Sequence, residues 1–234
     1  MSELVLGVSA VREATPGSRI VRLDLNGAPF TYEPGQAAAI GPAELSARVP
    51  FSIASAPEET RQLGYVEFLI KVDAAGRWGT GFPSLIRGAR VALDGPTGSF
   101  TFPDDPREQR FAFIAGGTGI SPLRSMIRHA ILAGIRGRLR LLYSARTPRD
   151  FAYLPELRGM VKRGELEMWV SATREVGPKW RGERGRINTA QLAHLVDDPA
   201  TLCFVCGPAA MVADVPPLLQ ALGVDSKRIR LEDW

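Results

Sequence analysis

The chain has little with which to bind a metal. Its 234 residues include two cysteines and two histidines. Both cysteines lie in one apolar run, Leu202-Cys203-Phe204-Val205-Cys206, which reads as a buried strand. Side chains three apart on a strand face opposite ways. No second Cys/His pair completes a zinc site, and two thiolates cannot hold a four-thiolate iron–sulfur cluster. No bound metal is expected. His129 and His194 have no motif around them and read as ordinary helix residues. Long apolar runs are also missing, and none approaches the roughly 20 residues of a membrane span. The start, Met1-Ser2-Glu3-Leu4, lacks the basic segment, apolar run and cleavage site of a secretory leader, so a cytoplasmic location is expected. There is no internal repeat and no low-complexity tract. The formal net charge is +4, and the basic residues are scattered rather than gathered into a stripe interleaved with aromatics. That distribution argues against nucleic acid and suits either a solvated basic surface or docking of an acidic protein partner.

What remains is a chain long enough for one large domain or two modest ones. Its first hundred residues read as short strands separated by Pro and Gly clusters such as Glu33-Pro34-Gly35. Strands are expected at Leu4–Val11, Arg19–Leu25, Gln36–Ile40, Pro50–Ser55, Tyr65–Val72 and Arg90–Leu93, with a short helix near Phe82–Ile86. The pattern predicts a small antiparallel barrel of six strands. Near Pro103-Asp104-Asp105-Pro106 the character changes. Beyond it, strands are expected at Phe111–Ala115, Arg138–Ser144, Leu166–Ser171, Thr201–Cys206 and Arg228–Leu231. Helices are expected at Pro122–Ala133, before Lys162, at Thr189–Leu195 and at Ala209–Leu222. Such alternation implies a parallel sheet covered by helices. The fold class is therefore β followed by α/β, divided as 1–104 and 108–234.

The most informative stretch is Phe113-Ile114-Ala115-Gly116-Gly117-Thr118-Gly119-Ile120-Ser121-Pro122-Leu123. It reads as a strand, a tight turn and a helix start, which presents unpaired N–H groups to an anion such as a pyrophosphate. Ser121 is expected to cap the helix, with Pro122 at its first position. Glycine turns of this kind also occur simply to turn the chain, and this one is not the G-x-G-x-x-G of the commonest dinucleotide fold. Cys206-Gly207-Pro208-Ala209-Ala210-Met211 repeats the strand–turn–helix pattern. A cysteine there would lie at the strand edge where parallel sheets bind ligands. In the first half, Arg48-Val49-Pro50-Phe51-Ser52-Ile53-Ala54-Ser55 offers an aromatic to stack on a flat ring and a hydroxyl to bond its edge. Gly76-Arg77-Trp78-Gly79-Thr80-Gly81 offers an anion-binding turn. Gly95-Pro96-Thr97-Gly98-Ser99-Phe100 reads as a structural turn.

Taken in order, these motifs resemble the ferredoxin–NADP reductase superfamily, without an iron–sulfur domain, over almost the whole chain. The resemblance implies a flavin-binding barrel, 1–104, and an NAD(P)-binding domain, 108–234. It implies FAD as cofactor, with FMN as the other candidate flavin, and NADPH or NADH as donor. Phe51 would flank the flavin ring and Ser52 would hydrogen-bond near its N5. Ile53, Ile70, Lys71 and Val72 would line the flavin, and Gly79-Thr80 would meet its pyrophosphate. Gly116, Gly117, Thr118, Gly119, Ser121 and Pro122 would hold the nicotinamide dinucleotide. Cys206, Gly207, Pro208 and Met211 would form the nicotinamide side. The catalytic set would be Ser52, Cys206 and Glu232, and Trp234 would stack on the flavin or its adenine.

The chain departs from the family at one place. Relatives carry Arg two residues before the flavin aromatic to grip the flavin pyrophosphate, and here that position is Val49. Arg48 is one residue further back, which on a strand is the other face. Either the chain is irregular at Pro50 and Arg48 reaches the site, or the clamp is missing, with Lys71 and Arg77 as substitutes. A missing clamp implies loosely held FAD or a preference for FMN. Ser144, Arg146 and Arg174 follow strands on the expected edge, and Arg174 resembles the position that NADPH-using relatives employ, while arginines near these loops also occur in NADH users. Three functions follow. The first is a reductase feeding an acidic carrier, such as a ferredoxin, flavodoxin or oxygenase component. The second is a reductase of free flavin or ferric complexes. The third is a non-catalytic flavin or nucleotide sensor or subunit.

Overall fold

The computed structural model describes residues 3–104, 106–174 and 176–233. Contacts divide the chain into two units. One comprises the residues up to Phe102 together with Arg124–Ala133, and the other comprises Pro103–Leu123 and the chain from Gly134 onward.

In the first unit, alternating apolar residues form six strands: β1 Leu4–Thr15, β2 Ser18–Asp24, β3 Ala37–Pro42, β4 Val49–Ser52, β5 Tyr65–Lys71 and β6 Arg90–Thr97. They make one antiparallel sheet in the order β4-β3-β6-β1-β2-β5. Ile53, just past β4, bridges Phe68 of β5, so the two edge strands meet and the sheet curls into a barrel. Its core includes Leu6, Val21, Leu23, Ile40, Ile53, Phe68, Ile70, Trp78 and Leu93.

Two local expectations change. No helix forms at Phe82–Ile86. Phe82 instead bridges Trp78, and the Trp78 indole N–H donates to the Pro83 carbonyl at 2.8 Å, which holds this loop extended. A helix the sequence reading missed, α1, spans Pro57–Leu63. Pro57 opens it, the Glu59 carboxylate accepts from the Ala56 N–H at 3.0 Å, and Gly64 ends it at φ 73°.

In the second half, β7 Arg110–Gly116 leads through a 3₁₀ turn, Gly117–Gly119, into α2 Ile120–Leu132. There follow β8 Arg138–Ala145, α3 Leu154–Lys162, β9 Glu167–Ala172, β10 Glu183–Arg184, α4 Thr189–Leu192, β11 Leu202–Gly207, α5 Ala209–Ala221 and β12 Ile229–Asp233. All six strands run parallel in the order β10-β9-β8-β7-β11-β12. The near-continuous apolar runs of β7 and β11 are what a sheet covered on both faces requires. One face packs Ala112, Ile114, Leu142, Cys203 and Val205 against Leu192, Leu195, Val215 and Leu219. On the other face, Phe113 and Phe204 stack at 5.4 Å, with the Arg230 guanidinium over the Phe204 ring. Cys203 and Cys206 therefore face opposite ways, as their spacing requires.

Candidate functional site

The two glycine motifs of the second unit meet. Cys206 is in register with Ala115, so β7 and β11 end side by side and their turns touch. A Cβ on Gly119 would lie 2.2 Å from the Cys206 carbonyl oxygen, and one on Gly207 would lie 3.1 Å from Gly116 Cα. Gly116 itself faces Met211 Sδ and Pro208 Cδ, each at 2.8 Å from where its Cβ would be. Glycine at 116, 119 and 207 is thus required for close packing of the two turns. Gly117 is the one with left-handed backbone, φ 55°. The N–H groups that open this helical run have no acceptor within the helix, and the positive end of the run lies there. Ser121 does not cap it. The residue before the 3₁₀ turn is Gly116, and Ser121 is buried in the first turn of α2. Pro122 follows in that same turn, where a missing N–H is tolerated.

Cys206 is in register with Glu232 of β12, and its Sγ lies 3.8 Å from Glu232 Oε2. Burial, with the Glu232 charge added, pushes this thiol well above the ordinary range. The group is a neutral thiol beside a carboxylate at the end of the sheet. The same edge continues across Gly116, Ser144 and Ser171, which are neighbours in register. Ser144 is buried, whereas Arg146 and Arg174 are exposed on adjoining loops, tied by a 3.0 Å bond from the Arg174 N–H to the Arg146 carbonyl. Beyond them Lys179, Arg181, Arg184 and Arg186 are also exposed. Trp180 pins this basic loop by stacking on Phe151 at 5.7 Å and 15°.

In the first unit, Phe51 and Ser52 end β4, both half-buried, with the Phe51 ring 5.9 Å from Trp78. Gly79 and Thr80 form an exposed turn. Gly79 has φ 56°, and a Cβ there would press on the Phe82 ring and on Val49 Cγ2. Val49 therefore packs an apolar side chain beside the turn. Arg48 is turned elsewhere. It donates to the carbonyls of Pro42, Leu45 and Ala47 and pairs with Glu3 at 2.7 Å. This runs against the expectation that Arg48 grips a flavin phosphate, because its guanidinium is spent on the β3–β4 loop and the N-terminal strand. Ile53 and Ile70 have side chains fully buried in the barrel core, so a ligand there would meet their backbone. Val72 is tied down by a bridge to Trp78, and Lys71 is exposed. Arg77 is held by Asp73, whose carboxylate also accepts from the Ala75 and Arg77 N–H groups. Trp234 lies outside the described residues.

Behind β4 lies a buried polar cluster that the sequence did not announce. Arg124 donates to the Ala54 carbonyl at 2.6 Å and pairs with Glu59 at 3.0 Å, while Arg128 pairs with Glu59 at 2.8 Å. Ser125 donates to the Ser55 carbonyl at 2.7 Å, and Tyr32 joins Ser55 and Thr60. Tyr143 was missed as well. Nothing in its apolar strand marks it, and its partner is a backbone atom of the glycine turn.

Residues 113–216 match the oxidoreductase NAD-binding domain family. The chain is 32% identical over 192 residues to ferredoxin–NADP reductase B of Sorangium cellulosum, covering 79% of this chain and 77% of that one. It is 30% identical over 210 residues to the reductase component of propane 2-monooxygenase from Rhodococcus jostii, covering 86% of this chain and 55% of the relative. Among solved structures, a ferredoxin reductase in carbazole 1,9a-dioxygenase superposes with a TM-score of 0.82 at 28% identity, covering 99% of this chain and 69% of that one. The chain thus spans most of the first relative and about half of the monooxygenase component.

Proposed function

Since the chain belongs to the ferredoxin–NADP reductase family and is an oxidoreductase of that type, we propose that it carries FAD on residues 1–104 and takes electrons from NAD(P)H bound on residues 108–234, for delivery to a separate acidic carrier. Bound together, the two groups would supply hydride transfer from nicotinamide to flavin and release of the electrons one or two at a time. The chain's own residues do the rest. Backbone donors at Gly116–Gly119 hold the pyrophosphate of the donor at the positive end of a helical run. Cys206 and Glu232, adjacent in register, form the nicotinamide side: a neutral thiol offers a soft, uncharged surface, and burial, with the Glu232 charge added, keeps it protonated. Phe51 would flank the flavin ring and Ser52 would hydrogen-bond near its N5.

The residues fit these groups unequally. The glycine turn has the donors an anion needs, and Phe51-Ser52 suits a flat ring with an edge acceptor. The flavin-phosphate side has no arginine available at position 48. This specific observation favours keeping a second reading, a reductase that exchanges its flavin and serves free flavin or ferric complexes.

The observation that carries the main reading is the pairing of two glycine turns at the C-terminal ends of β7 and β11, with Cys206 and Glu232 beside them. Anaerobic mixing of the flavin-loaded protein with NADPH or NADH tests it. Rapid bleaching of the yellow flavin band is expected, followed by reoxidation on adding ferredoxin, flavodoxin or an oxygenase component. Bleaching without turnover of any protein acceptor, but with turnover of added FMN, would select the second reading. A flavin that NAD(P)H leaves untouched would leave a sensor.

A further inference from the structure

Tyr143 is fully buried near the C-terminal end of β8. Its hydroxyl donates to the Gly117 carbonyl at 3.0 Å and accepts from the Ala152 N–H at 3.1 Å. The same Gly117 carbonyl also accepts from the Ile120 N–H, which closes the 3₁₀ turn. One peptide oxygen is therefore held from two directions. Among the described residues the cis peptide is Gly95–Pro96, so the Gly117–Thr118 peptide is trans. In a trans peptide the C=O and N–H lie in one plane and point opposite ways. Anchoring the Gly117 oxygen on the sheet side turns the Thr118 N–H away from it, among the open donors of the helical start. Gly117, a glycine at φ 55°, can also leave that basin at little cost.

We propose that Tyr143 is a positioning residue for nucleotide binding: its hydroxyl aims the Thr118 N–H at the pyrophosphate of the bound dinucleotide. The proposal rests on reading the glycine turn as the NAD(P) site. Phe151 braces the ring edge-on, with centroids 4.9 Å apart and planes at 90°, and is itself stacked on Trp180 of the basic loop. Burial pushes the phenol well above its ordinary range, so the donor keeps its proton at every working pH.

The test is Tyr143→Phe, which removes one oxygen and no apolar volume. The variant also leaves the buried Ala152 N–H without its partner, so some loss of stability is expected whatever Tyr143 does for the ligand. Binding is therefore measured on the folded protein, with two probes. ADP-ribose carries the pyrophosphate, and adenosine carries none. The expected result is that ADP-ribose binds about three- to tenfold more weakly, the scale of one impaired hydrogen bond to a charged group. Adenosine binding is expected to be unchanged, and KM for NAD(P)H to rise while kcat at saturation is kept. Unchanged ADP-ribose affinity, or equal weakening of both probes, would overturn the proposal. If Tyr143→Phe does not fold, Phe151→Leu removes the brace and keeps the hydroxyl, and the same two probes decide. Failure of the wild-type protein to bind ADP-ribose would instead bring down the nucleotide reading of the turn, and the proposal with it.

Discussion

Cys206 and Cys203 differ in surroundings and agree in protonation. Burial pushes Cys203 up to about 12, and burial together with Glu232 raises Cys206. A raised thiol binds its proton more tightly in the folded chain. The associated stability is present below the unfolded value of about 8.5 and is lost as pH rises beyond it. Iodoacetamide labelling of the native protein should accordingly stay slow through pH 9, where a free thiol reacts readily; fast labelling of Cys206 at pH 8 would show the thiol is not held this way. Two arginines make opposite predictions. Arg174→Ala should lower the NADPH-to-NADH ratio of kcat/KM by about tenfold, the scale of one charged contact to a 2′-phosphate. An unchanged ratio would remove Arg174 from the site. Arg48→Met should leave flavin affinity unaltered and lower the melting temperature, because its partners are Glu3 and loop carbonyls. Desalting should strip much of the FAD from wild-type protein; tight stoichiometric retention would show that another group has replaced the clamp.

At the scale of elements, the buried cluster behind β4 is the largest feature that no local pattern predicts. Burial raises the Glu59 carboxyl, but the charge of Arg124, the Ala56 N–H and the charge of Arg128 outweigh it, and the net direction is down. A depressed carboxylate contributes stability that is present above its unfolded value and is lost as pH falls through the folded one. Glu59→Gln removes the charge that pairs with buried Arg124 and half-buried Arg128, which costs about 3 kcal/mol at neutral pH. Urea unfolding at pH 7 and pH 3 measures both effects, and the difference between wild type and variant should shrink at the lower pH. Equal differences at the two pH values would mean that Glu59 is not ionised in the fold. Element types were readable where the apolar pattern was long: β2, β5, β7, β8 and β11 fall within about a residue of their apolar segments, whereas β1 runs past Val11 to Thr15. The Phe82–Ile86 helix failed because Trp78 captured the Pro83 carbonyl. The short helix Pro57–Leu63 was hidden because its cap is a carboxylate reaching back to an alanine N–H.

For the whole molecule, the scattered basic surface predicts how a carrier is met. Steering of an acidic partner is screened by salt. The second-order rate of carrier reduction should therefore fall several-fold between low and physiological ionic strength, while reduction by NAD(P)H measured on its own changes little. A carrier rate indifferent to salt would argue for an uncharged or small-molecule acceptor. No helix among the described residues is long and apolar enough to cross a membrane.

Sequence alone determined the two-part plan, the strand–turn–helix character of both glycine motifs and the opposed faces of Cys203 and Cys206. Each of these is a local matter of side-chain period and backbone freedom, written in consecutive residues. Tertiary structure decided what those residues touch. Arg48 lies next to β4 in sequence, but its guanidinium went to Glu3, 45 residues away. The glycines at 116, 119 and 207 owe their identity to the approach of two turns that only the β7–β11 register brings together. Tyr143 became tied to the glycine turn through one hydrogen bond across 26 residues. Partners of that kind are set by which strands become neighbours, and no short-range pattern carries that information.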